Sequence, residues 1–228
     1  MNLLSKDRAG KESSAAATAR AAAPAVAGAH LRVSNGLKDF LWLLSDVQRG
    51  HLLDLGPVTQ ATVSFFTEKG FKVYAEDVLR SWKAHMSAEE ERLRRAPAGT
   101  AAAMDPASQA EAFLADNLSY EAETFHAILA WDVFDYFESE LLPRAAMRLY
   151  SLLRPGGVLL AVFHSKMPEQ FHRYRVVDAQ ALELVPLLAP VPPRRALQNR
   201  ELLNLFSAFR SSKTFVGRDQ LREGLFTK

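Results

Sequence analysis

Two stretches of the chain carry residue types in an order that could bind a ligand. The first is His51-Leu52-Leu53-Asp54-Leu55-Gly56-Pro57-Val58-Thr59-Gln60, and the second is the acid pair Glu76-Asp77. An apolar run stops at Gly56, Ala61 to Lys69 reads as a helix closed by Gly70, and Phe71 to Ala75 is a second β-rich run ending in the two carboxylates. Strand, tight turn, helix, strand, acid is the layout of a nucleotide-binding βαβ unit, in which the turn sits under the ligand and the acid accepts its ribose hydroxyls. Two later residues could act on a bound substrate. His164 follows the apolar run Val158 to Phe163, and an imidazole titrates near neutrality, so it suits a general base. Asp132 follows Trp131 at the end of Phe125 to Trp131; it either faces a ligand or caps the next helix, since aspartate is favoured at such starts.

The elements that must hold these residues follow from periodicity. Leu37, Phe40, Leu41, Leu44 and Val47 recur at helical spacing, predicting an amphipathic helix from Leu37 to Arg49 stopped by Gly50. Phe40 reads as core and Trp42 as a partly buried flank. Val78 to Arg95 predicts a helix whose Glu89, Glu90 and Glu91 pair with Arg92, Arg94 and Arg95 on a solvated face. Ala96 to Pro106 reads as a loop. Ala112 to Ala115 reads as a short third strand, although Gln109 to Leu114 alone passes equally well for helix. Phe125 to Trp131 and Val158 to Phe163 are continuous apolar runs of strand length, as expected for parallel strands buried on both faces. Between them lie a helix, Leu141 to Leu153, and the reversal Leu153-Arg154-Pro155-Gly156-Gly157. There proline cannot extend the helix and glycine adopts angles closed to other residues. Tyr174 to Val185 predicts a hairpin, Pro190 to Pro193 a stiff linker, Asn199 to Phe209 a helix, and Lys213 to Val216 with Leu221 to Phe226 a final antiparallel hairpin.

Asp54-Leu55-Gly56, Gly70, Asp77, the strand ending Trp131-Asp132 and the turn Leu153 to Gly157 together resemble the class I S-adenosylmethionine-dependent methyltransferase family over residues 34 to 165, and more loosely to the C-terminus. The resemblance implies an α/β fold, Rossmann-like and doubly wound, with a mostly parallel seven-stranded sheet finished by a C-terminal antiparallel hairpin. It implies S-adenosylmethionine as cofactor. Gly56, Pro57, Val58 and Thr59 would lie under its amino-acid part, with Asp54 ordering the loop or touching the ligand. Asp77, with Glu76 beside it, would meet the ribose, and Asp116 or Asn117, at the end of the third strand, the adenine amine. Trp131 would adjoin the cofactor and Asp132 the methyl-transfer position. Tyr136, Phe134 and Phe137 would line an acceptor pocket or simply pack. The family's loop reads D-x-G-x-G-x-G; here Val58 and Gln60 stand at the second and third glycines.

The domain expectation is an Ala-rich disordered tail over residues 1–33 and a methyltransferase-like domain over residues 34–228. Within the latter, 166–198 is read as an insertion on the substrate side. Composition narrows the class. The 228 residues carry a net charge of +2 and no cysteine. Disulfides, thiolate nucleophiles and cysteine-held metals are excluded, and no global field argues for nucleic acid. No apolar run approaches the roughly 20 residues that cross a bilayer. A soluble, cytoplasmic protein is expected, with no metal and no membrane partner. The six histidines are scattered without ligand spacing, and no G-x-x-x-x-G-K-[ST] loop is present. Two readings stand: a methyltransferase acting on an unidentified small-molecule or protein acceptor, or a catalytically inactive protein of that fold serving as a binding or scaffold module. A nicotinamide oxidoreductase fits poorly, because G-x-G-x-x-G is absent.

Overall fold

The computed structural model describes residues 28–97 and 102–228. Its centre is a six-stranded sheet built from β2 (Gly50–Asp54), β3 (Phe71–Ala75), β4 (Phe125–Ala130), β5 (Leu153–His164), β8 (Ser211–Val216) and β9 (Leu221–Thr227), in the order β3-β2-β4-β5-β9-β8. The first four are parallel, and β9 runs antiparallel to both its neighbours. The parallel strands alternate between two buried faces. Leu52, Leu129 and Leu160 join one cluster, and Leu53, Ile128 and Leu159 the other. That is why their sequences are continuously apolar.

The expected seventh strand is a helix. Ala112 to Ala115 lies inside α4 (Pro106–Asn117), so the sheet has six strands and β3 forms its edge. The local reasons are explicit. Asp105 caps the helix by accepting N–H bonds from Ala107 and Ser108, and Pro106 occupies the first turn, where its missing N–H costs nothing. The buried residues Gln109, Ala110, Phe113 and Leu114 then recur on one helical face.

Residues of α3 (Val78–Arg95), α4, α5 (Leu141–Leu152) and α6 (Asn199–Leu205) all join the cluster containing Leu53. The leading helix α1 (Asn35–Leu43) is shorter than the predicted Leu37 to Arg49; Ser34 caps it and Leu44 closes it. Gly50 is the first residue of β2 rather than a helix stop. A Cβ there would lie 2.4 Å from the Phe71 ring. The α2 helix (Gln60–Glu68) starts at the cap residue Thr59, and Gly70, at φ +87°, brings the chain back against the Gln48 carbonyl.

A second sheet lies over the cluster containing Leu52. It is antiparallel, in the order β1-β7-β6, with β1 (His30–Val33), β6 (Phe171–Val176) and β7 (Ala181–Leu187). The β6–β7 hairpin is the one expected within 166–198. Its partner β1 falls inside the stretch read as a disordered tail, which corrects the domain boundary; the tail's residues 1–27 lie outside the described residues. Tyr174, Val176, Leu182 and Leu184 carry this sheet onto Trp131, Leu160 and Val162 of the main one. Arg32 on β1 points inward and forms ion pairs with Asp219 and Glu223, while Glu223 also accepts the Gly36 N–H at 2.7 Å. No helix among the described residues is long and apolar enough to cross a membrane.

Candidate functional site

Parallel register brings the glycine turn and the acid together. Asp54 pairs with Ala75, and the Glu76 N–H donates to the Asp54 carbonyl at 2.8 Å, so Gly56 and Asp77 each stand two residues beyond a paired position on the same rim. Asp77 is half-buried and caps α3, its Oδ1 accepting the Arg80 N–H at 3.3 Å. Glu76 is engaged by the Tyr120 hydroxyl, which donates to its Oε1. Burial, then Glu76, raises the Tyr120 phenol above its usual range.

Asp54 holds the turn from beneath. Its Oδ1 accepts the Gly56 N–H at 3.2 Å and the Trp131 indole N–H at 2.7 Å. Burial pushes its carboxyl up to about 7, the two hydrogen bonds oppose that, and Asp77 adds to it. Gly56 is needed for space: a Cβ would lie 2.7 Å from Trp131 Cδ1. The indole of Trp131, 2% exposed, therefore covers the turn. It is stacked in turn on Tyr174 of the second sheet, with ring centroids 5.3 Å apart and planes 9° from parallel.

The two departures from the family's loop leave the turn clear. Val58 is 58% exposed, and Gln60 is exposed with its amide on Ser64 Oγ at 3.0 Å. Pro57 is half-buried beside them. Thr59 is buried and caps α2. It donates to Thr62 Oγ1 at 2.8 Å, which itself accepts the Val176 N–H at 3.0 Å, tying the turn to β6.

Asp116 and Asn117 are not at a strand end. They stand in the last turn of α4, Asp116 exposed and the Asn117 amide bonded to the Phe113 carbonyl at 2.9 Å, so the strand-end placement expected for them is corrected. Phe134 and Phe137 pack in the core, and Trp42 is 73% exposed on the outer face of α1.

At the ends of β4 and β5 lies a second group of polar residues. Asp132 adopts the left-handed conformation, φ +43°, and its side chain makes no capping bond to the short 3-10 turn Val133–Asp135 that follows. Its Oδ2 accepts the Tyr174 hydroxyl at 3.2 Å, and its Oδ1 is buried with no partner among the described residues. Burial, then the charge of Asp135, raises the Asp132 carboxyl well above its usual range, and the Tyr174 hydroxyl opposes that. Asp135 is wholly buried and accepts two bonds on Oδ2, from the His164 backbone N–H at 2.7 Å and from His164 Nδ1 at 2.8 Å. Its carboxyl is raised by burial, with His164 and then Arg222 pulling the other way. His164 borders a cavity of about 250 Å³ between the main sheet and the second one.

His164 and Asp132 were visible in the sequence as residues ending strands. Asp135 and Tyr174 were not singled out. The spacing Asp132 to Asp135 was a usable signal, since residues three apart eclipse in a 3-10 turn, but the partner of each carboxylate comes from a distant strand. Among the described residues, no group of three or more His, Asp or Glu side chains is arranged to hold a metal ion.

Several solved structures are similar to the chain at low identity. They include a 1,6-didemethyltoxoflavin-N1-methyltransferase from Burkholderia thailandensis, crystallised with S-adenosylhomocysteine (16% identity, 86% of this chain and 79% of that one, TM-score 0.46). The PH0226 protein from Pyrococcus horikoshii OT3 is similar at 17% identity, over 83% of this chain and 88% of that one, with a TM-score of 0.42. The N-methyltransferase NodS from Bradyrhizobium japonicum WM9 is similar at 16% identity, over 84% and 85%, with a TM-score of 0.42. No curated protein matches. A family model described as a methyltransferase domain matches residues 29–208, most of the 228 residues, and the chain therefore belongs to the class I methyltransferase family that the residues around Gly56, Asp77 and Gly157 resemble.

Proposed function

We propose that the chain is an S-adenosylmethionine-dependent methyltransferase, with the cofactor held on the rim between Gly56 and Asp77. The observation that carries this reading is the shared register of the two: both stand two residues past the Asp54–Ala75 pair. The residues fit the group. Asp77 spends one oxygen on the α3 cap, and among the described residues its Oδ2 has no hydrogen-bond partner, so it can accept a ribose hydroxyl. Val58 and Gln60 point into solvent and leave the rim open. Gly56, Pro57, Val58 and Thr59 would hold the amino-acid end against Trp131, and Glu76 would stay with Tyr120 as a wall.

When bound, the cofactor supplies an electrophilic methyl group on a sulfonium. The chain's task is then proximity, orientation and, for an acceptor that must lose a proton, a base. His164, which borders the cavity, is the base in this reading, and Asp132 accepts the Tyr174 hydroxyl.

One observation favours the non-catalytic alternative: the Trp131–Tyr174 stack lies over Gly56 and would have to serve as the ligand's floor or move aside. Calorimetric titration with S-adenosylmethionine and S-adenosylhomocysteine separates the two readings. Saturable binding that Asp77→Ala weakens at least tenfold supports the enzyme. Absence of heat at millimolar ligand retires it in favour of the scaffold.

A further inference from the structure

We propose that Asp135 is the positioning residue of a general base, His164, and that the cavity before His164 takes the methyl acceptor, a small planar ring bearing an ionisable O–H. The proposal rests on the methyltransferase reading above for its donor, but its geometry belongs to a different part of the molecule.

The pair is locked from several sides. Asp135 Oδ2 accepts the His164 backbone N–H and lies 2.8 Å from the ring Nδ1, and a carboxylate at that place makes Nδ1 the donor. Nε2 then keeps its lone pair. The Asp135 carbonyl accepts the N–H groups of Arg194 and Arg195 at 2.8 and 3.1 Å, and the His164 carbonyl accepts Arg222 Nη2 at 3.1 Å. With both backbones fixed and the carboxylate buried, the imidazole is held in one tautomer and one orientation before any substrate arrives. A base that is already oriented loses no further freedom during reaction.

The cavity sets the acceptor's class. About 250 Å³ holds about eight water-sized groups, the size of one substituted ring. His30 and His172 form part of its wall, meeting edge to face with centroids 5.8 Å apart, and Leu184 and Leu221 add aliphatic surface. Such walls favour a flat, aromatic guest. Lys166 also borders the space and favours an oxygen that gains negative charge; of the two acids on the same wall, Asp219 is paired with Arg32, and Glu169 opposes Lys166. His172 Nδ1 is buried with no partner among the described residues, a hydrogen-bonding position that a polar substituent can satisfy. An amine attacks through a lone pair it already has, whereas a hydroxyl must shed its proton, which is the step an oriented imidazole accelerates. The acceptor O–H gives its proton to His164 Nε2. The oxygen bonds to the methyl carbon while the carbon–sulfur bond breaks with both electrons remaining on sulfur. A methyl ether, S-adenosylhomocysteine and an imidazolium result, and the imidazolium returns its proton to water.

The test is long-range proton–nitrogen correlation NMR of the histidine rings in the full chain, with phenol as probe. We expect His164 in the Nδ1–H tautomer and saturable shifts of the His164, His172 and His30 rings on adding millimolar phenol. Asp135→Leu, which removes the oxygen that both N–H groups share, is expected to abolish the preference for the Nδ1–H tautomer and weaken phenol about fivefold, the loss of one neutral hydrogen bond, while S-adenosylhomocysteine binds as before. Asp77→Ala is expected to do the reverse, losing S-adenosylhomocysteine and keeping the ring shifts, which separates failure of the rim from failure of the cavity. Wild-type His164 in the Nε2–H tautomer, or phenol that moves none of the three rings, overturns the proposal, and both readings come from the wild-type chain even where a variant fails to fold.

Discussion

The rim between β2 and β3 and the rim between β4 and β5 belong to one parallel sheet and yet are built oppositely. At the first, the acid proposed to meet the ligand, Asp77, is half-buried and held by one backbone N–H, and the residues replacing the family's glycines stand in solvent. At the second, Asp132 and Asp135 are fully buried, their carboxyls raised by burial, and fixed by Tyr174 and His164 from other strands. The difference teaches where binding and chemistry divide. An open rim can admit a ligand with little rearrangement, whereas buried titratable groups are costly to maintain and suit proton transfer. Trp131 joins the two, bonded to Asp54 at one rim and stacked on Tyr174 toward the other.

The largest expected effect comes from breaking that join. Tyr174→Ala removes a fully buried ring from the Trp131 stack and should cost about 3–5 kcal/mol in chemical denaturation. Tyr174→Phe, which keeps the ring, should cost only about 1 kcal/mol. Equal losses for the two would show that the stack does not bear the load.

Asp54 offers a pH test of the first rim. Its folded-state carboxyl lies near 7 against 3.8 for the free group, so the folded chain binds more protons between those values. Its contribution is therefore fully present below pH ~4 and is lost as pH rises through about 7, by up to about 4 kcal/mol. Asp54→Asn keeps an oxygen for Gly56 and Trp131 and should abolish that component. The difference in stability between variant and wild type, measured by denaturant titration, should grow in the variant's favour from pH 4 to 7 and then stay level. A difference independent of pH would show Asp54 to be ionised throughout.

Smaller effects are expected at the less buried positions of the first rim. Asp77→Ala should cost about 1 kcal/mol of stability through the lost α3 cap. Val58→Gly, which restores the family's residue at a site 58% exposed, should change S-adenosylhomocysteine affinity less than threefold and stability by within about 1 kcal/mol. A large gain in affinity would mean that the Val58 side chain does obstruct the turn.

The sequence was most legible where one pattern had one physical cause. Phe125 to Trp131 and Val158 to Phe163 read as strands because both of their faces are buried, and the βαβ unit from Gly50 to Asp77 followed from Gly56, Gly70 and a terminal acid. It failed where the pattern was ambiguous or inverted. Ala112 to Ala115 is apolar enough for a strand, Gln109 to Leu114 fits a helix as well, and Asp105 and Pro106 upstream decide for the helix. In β1 the alternation misleads: Leu31 and Val33 are 70% and 69% exposed while Arg32 is buried, because Arg32 finds Asp219 and Glu223 at the far end of the chain. Of the site, the strand-end residues Asp77, Asp132 and His164 could be named in advance. The partners that define what they do, Asp135 for His164 and Tyr174 for Asp132, come from tertiary contacts that no local period encodes.

The central claim is that the open rim at Gly56 and Asp77 binds S-adenosylmethionine, and isothermal calorimetry of the full chain with S-adenosylhomocysteine addresses it most directly. The account predicts one saturable site per chain in the wild type, weakened at least tenfold by Asp77→Ala and little changed by Val58→Gly. Wild-type protein that takes up no ligand at millimolar concentration, or binding that Asp77→Ala leaves untouched, would contradict it.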